Sequence, residues 1–103
     1  MIGDGERDVF MDIRAFQGLI EEIYLEKDRA RGLDADFRWF VEEVGELARA
    51  MRSGNREQLN EEFADVLAWL STMASICGID LAKAVTKYAE GCPKCGGIPC
   101  RCG

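Results

Sequence analysis

Six carboxylates stand close together in this chain: Glu42, Glu43 and Glu46 in one segment, and Glu61, Glu62 and Asp65 in the next. There is no histidine. That removes the commonest general base, the nucleophile triads built on it, and every imidazole metal site. Hydrolysis by this chain must therefore run on carboxylates and a metal. At about 100° per helical residue, Glu43 and Glu46 lie roughly 60° apart, on one edge of an apolar stripe. Glu62 and Asp65 repeat that spacing on the side shared with Val66, Trp69 and Met73, whereas Glu61 points further toward water. Two such pairs on neighbouring antiparallel helices can converge in a cleft. Facing carboxylates repel, and burying an ionised one is costly; a bound cation relieves both. Hard oxygen ligands select Mg²⁺ or Mn²⁺, and magnesium readily takes phosphate oxygens, so the arrangement implies a phosphorylated substrate. The plain alternative is a solvated glutamate face, since Glu is a good helix former. Asp65 speaks against it: a poor helix former sits mid-helix inside the apolar run 63–70.

A second group is made of sulfur. Of five cysteines, four crowd into the last twelve residues as Cys92-x2-Cys95 and Cys100-x-Cys102. Cys-x2-Cys followed by Gly resembles half of a zinc ribbon, because the turn lets backbone amides approach the thiolates. Four residues separate the pairs, and the second pair is tight. Zinc on all four is the leading reading. Free thiols, redox pairing and a site shared between protomers are the alternatives. Cys77 stands alone in an apolar segment and is expected to be core.

Helices must position these groups. Apolar residues recur at helical spacing over about residues 9–31, through Phe10, Ile13, Phe16, Leu19 or Ile20, Ile23 and Tyr24, with Gly32 as a stop. A second helix is predicted over about 35–52, where Phe37, Phe40, Val41, Val44, Leu47, Ala48 and Met51 form a stripe, with Asp34 or Asp36 as its cap. A third spans about 56–76, with a capping box of Asn55 and Gln58. It is apolar on most sides from Phe63 and is expected to be the most buried helix. Gly78 ends it, and a short fourth helix runs over about 81–90, capped by Asp80. Strand signals are absent. The organisation expected is a flexible tail at 1–8, an all-α domain at 9–90, and a four-cysteine tail at 91–103.

Phosphates need cations and a base needs an apolar wall. Lys27, Arg29 and Arg31 end the first helix, close to the start of the second; Lys83 and Lys87 lie in the fourth. Trp39 is four residues before Glu43 and Trp69 four after Asp65, each one turn from a candidate ligand. Phe16 and Tyr24 are further candidates for the wall, with core packing preferred for Phe16.

The run Trp39-Phe40-Val41-Glu42-Glu43-Val44-Gly45-Glu46-Leu47-Ala48, followed by Glu61-Glu62-Phe63-Ala64-Asp65-Val66-Leu67, closely resembles the EExxE…ExxD signature of MazG-like pyrophosphohydrolases. The resemblance covers about residues 16–88 and includes Gly45 and the Gly78-Ile79-Asp80-Leu81 turn into the fourth helix. It implies a four-helix bundle that assembles as a dimer or a dimer of dimers. The implied activity splits nucleoside triphosphates into monophosphate and pyrophosphate. By motif match Glu43, Glu46, Glu62 and Asp65 are the magnesium ligands, and Glu42 is a water-orienting base or supports the ligands. The family's lysine near the phosphates matches Lys87 better than Lys83. Gly45, lacking a side chain, leaves room for another helix to come close.

Composition narrows the rest. Hydrophobic residues make up 48 % and charged ones 31 %, as in a folded soluble domain. The net charge of −6 disfavours nucleic acid as a partner. No apolar run approaches the roughly 20 residues of a membrane span, and no cationic leader precedes an apolar stretch, so a cytoplasmic location is expected. The competing function is a non-catalytic helical interaction module whose zinc-binding tail serves as an adaptor.

Overall fold

The computed structural model describes residues 10–103; the 1–8 tail of the sequence reading, and Val9, lie outside them. The described residues hold helices and turns and no strand. Helix α1 spans Ile13–Arg31, α2 Leu33–Ser53, α3 Arg56–Ile76 and α4 Leu81–Ala84, and a 3-10 turn, Val85–Tyr88, extends α4.

Local chemistry sets the boundaries. Asp12 accepts a hydrogen bond from the Ala15 amide at 2.8 Å, so α1 begins at Ile13, later than the apolar pattern suggested. Gly32, at φ 102°, closes α1 and opens α2, a conformation that strongly favours glycine. Neither Asp34 nor Asp36 caps α2; Asp36 is instead fully buried inside its first turn. Asn55 caps α3 through the Gln58 amide at 3.0 Å, while its own amide turns to Ser53 Oγ at 3.4 Å, so only half of the expected capping box forms. Asp80 caps α4 through the Ala82 amide.

The most extensive packing is between α2 and α3, with α1 laid against α3. Polar contacts lock α1 onto the far end of α3. Gln17 donates to Ser75 Oγ and to the Ile79 carbonyl, both at 2.9 Å, and accepts from the Leu81 amide at 2.9 Å. Beside it Ser75 donates to Glu21 at 2.7 Å, and Arg14 pairs with Asp80 at 3.0 Å. These contacts seat the turn after α3, so that α4 leaves at 99° to it.

A buried ionic tie joins all three long helices. Arg31 Nη1 of α1 donates to Asp28 at 2.7 Å and to Asp36 of α2 at 2.9 Å. Thr72 of α3 donates to the other oxygen of Asp28 at 2.9 Å. Asp28 and Asp36 side chains are only 7 % and 0 % exposed, so their charges depend on this one guanidinium. The second oxygen of Asp36 finds no partner among the described residues.

The apolar core is thin. Among the described residues only Ile20 and Ala50 are fully buried hydrophobics, while Phe37, Val41, Val44, Met51, Phe63, Leu67 and Leu70 stay exposed on a single chain. Helix α3 is the most buried of the long helices, as expected, but its fully buried residues are the polar Ser71 and Thr72. Cys77, expected in the core, is exposed, because it caps α3 where the chain turns at Gly78. No other described helix of the same chain comes close to Gly45, where a Cβ would meet open space.

Removing Arg31 leaves two buried carboxylates unpaired. Arg31→Ala is expected to lower stability by about 3 kcal/mol, whereas Arg14→Ala, at the exposed Asp80 pair, should cost about 1 kcal/mol or less. Urea unfolding followed by circular dichroism checks this; equal losses would show that the tie carries no special weight.

Candidate active site

Helices α2 and α3 run back to back from the Gly54 turn, so residues eleven before it and eight and eleven after it come level with one another. Glu43, Glu62 and Asp65 each bring a carboxylate oxygen within 4.8 Å of the others. Glu62 Oε1 is buried and has no hydrogen-bond partner among the described residues. The Glu43 carboxyl is held above its ordinary range, chiefly by burial, then by the charges of Asp65 and Glu62, with Glu46 contributing less. Glu46 itself leans toward Arg49 at 3.5 Å and stands at the edge of this triad. Glu61 is exposed, as its helical phase predicts.

Asp65 also lines a pocket together with Tyr24, Lys27, Arg31 and Trp69. Four of the substrate-facing candidates read from the sequence, Tyr24, Lys27, Arg31 and Trp69, therefore share one cavity with a member of the carboxylate triad. Arg31 is not a loose cation there. Its guanidinium lies over the Trp69 ring, 5.5 Å from the centroid, and its protonated form is held more firmly by the hydrogen bonds it donates, first to Asp36 and then to Asp28. Lys27 has no ion pair within 4.0 Å among the described residues and is the cation available to an anionic ligand.

The other candidates lie elsewhere. Trp39 and Glu42 line a separate groove on α2 with Ala35, Phe37, Arg38 and Val41. Trp69 lines the pocket that Asp65 lines, whereas Trp39 does not. Lys87 belongs to the 3-10 turn, where its ammonium sits over the Tyr88 ring at 5.2 Å, outside the pocket. Asp28, Thr72 and Asp36 are residues the sequence reading did not assign to the site, yet they hold Arg31 in place. Asp28 lies three residues before Arg31, a spacing that signals a pair; Thr72 carries no such signal.

The four tail cysteines converge on one another and line no part of this pocket. Amides of Arg101 and then Gly97 pull the Cys95 thiol down to about 6, and contact with Cys100, then Cys92 and Cys95, pushes Cys102 up to about 11.

With this geometry in view, comparison with known families is decisive. The model of the MazG nucleotide pyrophosphohydrolase domain matches residues 32–95. The chain belongs to this family. No curated protein matches it. Within the MazG match lie the Glu43–Glu62–Asp65 triad, Trp69 and Lys87, whereas Lys27 and Arg31 precede it, so part of the pocket wall is built by α1 outside the matched region. Membership supports nucleotide pyrophosphohydrolase activity in general terms, with a nucleotide as substrate and a divalent metal as the usual requirement.

The triad fits such a metal: three oxygen donors converge, that of Glu62 is buried without a partner, and the Glu43 carboxyl is biased toward its neutral form. Because the folded chain holds the Glu43 proton to higher pH than the unfolded chain does, its contribution to stability declines as pH rises through that interval. In chelator at pH 7, Glu43→Gln should therefore melt at higher temperature than the parent chain. The advantage should shrink as pH falls through the raised Glu43 range. Differential scanning fluorimetry across pH reads both, and a lower melting temperature for Glu43→Gln at pH 7 would contradict the repulsion.

Proposed function

We propose that the protein hydrolyses nucleoside triphosphates, ribo- or deoxyribo-, to monophosphate and pyrophosphate with Mg²⁺ or Mn²⁺. One observation carries this reading: Asp65 belongs at once to the carboxylate triad and to the pocket bearing Lys27 and Trp69. A cation site and an anion-and-base site are thereby contiguous.

Glu43, Glu62 and Asp65 would hold the metal, with Glu46 close enough to join or to support them. When bound there, the metal would supply neutralisation of triphosphate charge and polarisation of phosphorus toward attack by water. The remaining work falls to the chain. Lys27 attracts the phosphates. Trp69, backed by Arg31, offers a rigid face to the base, and Tyr24 contributes to the same wall. The Asp28–Arg31–Asp36 tie keeps that face still. Glu42, Trp39 and Lys87 lie outside the pocket of one chain; a role for them at the reaction requires that a second chain close over this surface.

Such assembly is part of the proposal. The apolar residues left exposed on α2 and α3 support a homodimer or a dimer of dimers. A non-catalytic module would also use an apolar face, but it gives no reason for a buried, unpartnered Glu62 oxygen beside two more carboxylates.

Incubation with a panel of nucleoside triphosphates should release pyrophosphate only with Mg²⁺ or Mn²⁺ present. Asp65→Ala and Glu43→Ala should reduce turnover roughly a hundredfold or more, Lys27→Ala should act mainly on KM, and Glu61→Ala should be mild. Release of orthophosphate alone, or full activity in EDTA, would refute the assignment; equal damage from Glu61→Ala and Glu62→Ala would refute the facing of α3.

A further inference from the structure

The segment after the 3-10 turn has a defined shape without an apolar reason for one. Its largest apolar side chain, Ile98, is 80 % exposed, and of residues 91–103 only Gly97 is fully buried. Burial of this kind cannot offset the entropy of ordering thirteen residues, at roughly 1 kcal/mol or more for each backbone unit. Backbone hydrogen bonds shape a small loop: Gly96 donates to the Cys92 carbonyl at 2.7 Å and Cys92 to the Gly97 carbonyl at 3.1 Å. Exposed bonds of this type contribute little by themselves.

The sulfurs supply the missing cause. Cys92 and Cys102 lie 3.8 Å apart, Cys95 and Cys100 4.0 Å, and Cys92 and Cys100 3.6 Å, with no pair beyond 4.8 Å. A tetrahedral zinc with Zn–S bonds of about 2.3 Å requires S···S edges of about 3.8 Å. Disulfides would need sulfurs near 2.0 Å, roughly half that separation. Amides already point at the sulfurs: Gly97 and Arg101 at Cys95, at 3.4 and 3.2 Å, and Cys102 at Cys100, at 3.3 Å. Four thiolates around Zn²⁺ carry two surplus negative charges, and donors placed in this way offset them. The tail holds Lys94 and Arg101 and no acidic side chain.

Two glycines allow the closure. Gly91 has φ 109°, and a Cβ there would stand 2.8 Å from the Gly96 carbonyl oxygen. A Cβ on Gly97 would stand 2.6 Å from the Pro99 carbonyl oxygen and 2.8 Å from the Arg101 guanidinium. The sequence alone singles out the cysteines; the structure adds these glycines as requirements of the same site.

We propose that Cys92, Cys95, Cys100 and Cys102 form a closed tetrahedral Zn²⁺ site within one chain, and that the metal folds residues 91–103. With all four positions filled by protein, this zinc is structural and holds no site for water or substrate. The proposal does not depend on the hydrolase reading.

The test uses the full chain purified without chelator and kept in excess Mg²⁺, so that the carboxylates are occupied by a hard ion. Elemental analysis should find roughly one zinc per chain, lost in Cys92→Ser and in Cys100→Ser. Cobalt substitution should give the intense visible bands of a tetrahedral thiolate site. In ¹⁵N-resolved spectra, the amides of Gly96, Gly97 and Cys102 should collapse to random-coil positions when zinc is stripped, while the helical amides stay. Gly97→Ala keeps every thiol, yet should lose zinc to a competing chelator roughly tenfold faster. One zinc per two chains would overturn closure within a chain, and stoichiometric iron would overturn the metal. Zinc retained in Cys100→Ser, or tail amides unmoved by its removal, would overturn the ligand set or the coupling to folding.

Discussion

The Arg31 guanidinium is the point on which the rest of this bundle depends. It sits where α1 ends, within hydrogen-bond reach of Asp28 in its own helix and of Asp36 in α2, and Asp28 is tied in turn to Thr72 of α3. A chain with so few fully buried hydrophobics relies on directional contacts to set helix positions, and a buried ion pair is intolerant of displacement. The sharp turn at Gly32 makes the geometry available, since it sends the chain from Arg31 into α2 within a single residue. Because Arg31 also lies over Trp69, the interaction that orders the helices reaches the wall of the pocket directly.

Across the pocket the electrostatics reverse. Glu43, Glu62 and Asp65 are brought together with no cationic side chain among them, and the raised Glu43 carboxyl records its burial first and then the repulsion of its neighbours. Asp28 and Asp36 are carboxylates whose charge the fold compensates; the triad is one whose charge it leaves open. Stability is given up in the second place for a site that can take a cation, and the first place contributes the rigidity that keeps it assembled. The tail repeats the logic in sulfur, with amide donors in place of a guanidinium.

Much of this was legible in residue order. The helices appear where apolar spacing placed them, with ends shifted by a few residues, because one capping side chain outweighs a weak periodic signal: Asp12 delays α1, and Gly32 lets α2 start early. Glu43, Glu62 and Asp65 meet because a short turn between two amphipathic helices makes their register nearly inevitable. The tryptophans were not equally legible. Spacing treated Trp39 and Trp69 alike, but only Trp69 lines the cavity that Asp65 shares with α1. Cys77 was misjudged because composition shows what a residue prefers, whereas position in the turn decides what it meets.

The sequence by itself determined the helical class, the carboxylate chemistry and the hard-metal and soft-metal character of the two clusters. These follow from residue types and from distances along the chain, and helical pitch converts such distances into faces. Only the tertiary structure decided that Lys27, Arg31, Trp69 and Asp65 share a cavity, that Asp36 is buried instead of capping, and that Thr72 belongs to the ionic tie. Those facts join residues from different helices, and their meeting depends on how α1 crosses α3. That crossing is set by packing and by the Gln17 and Arg31 contacts, none of which leaves a periodic mark on the sequence.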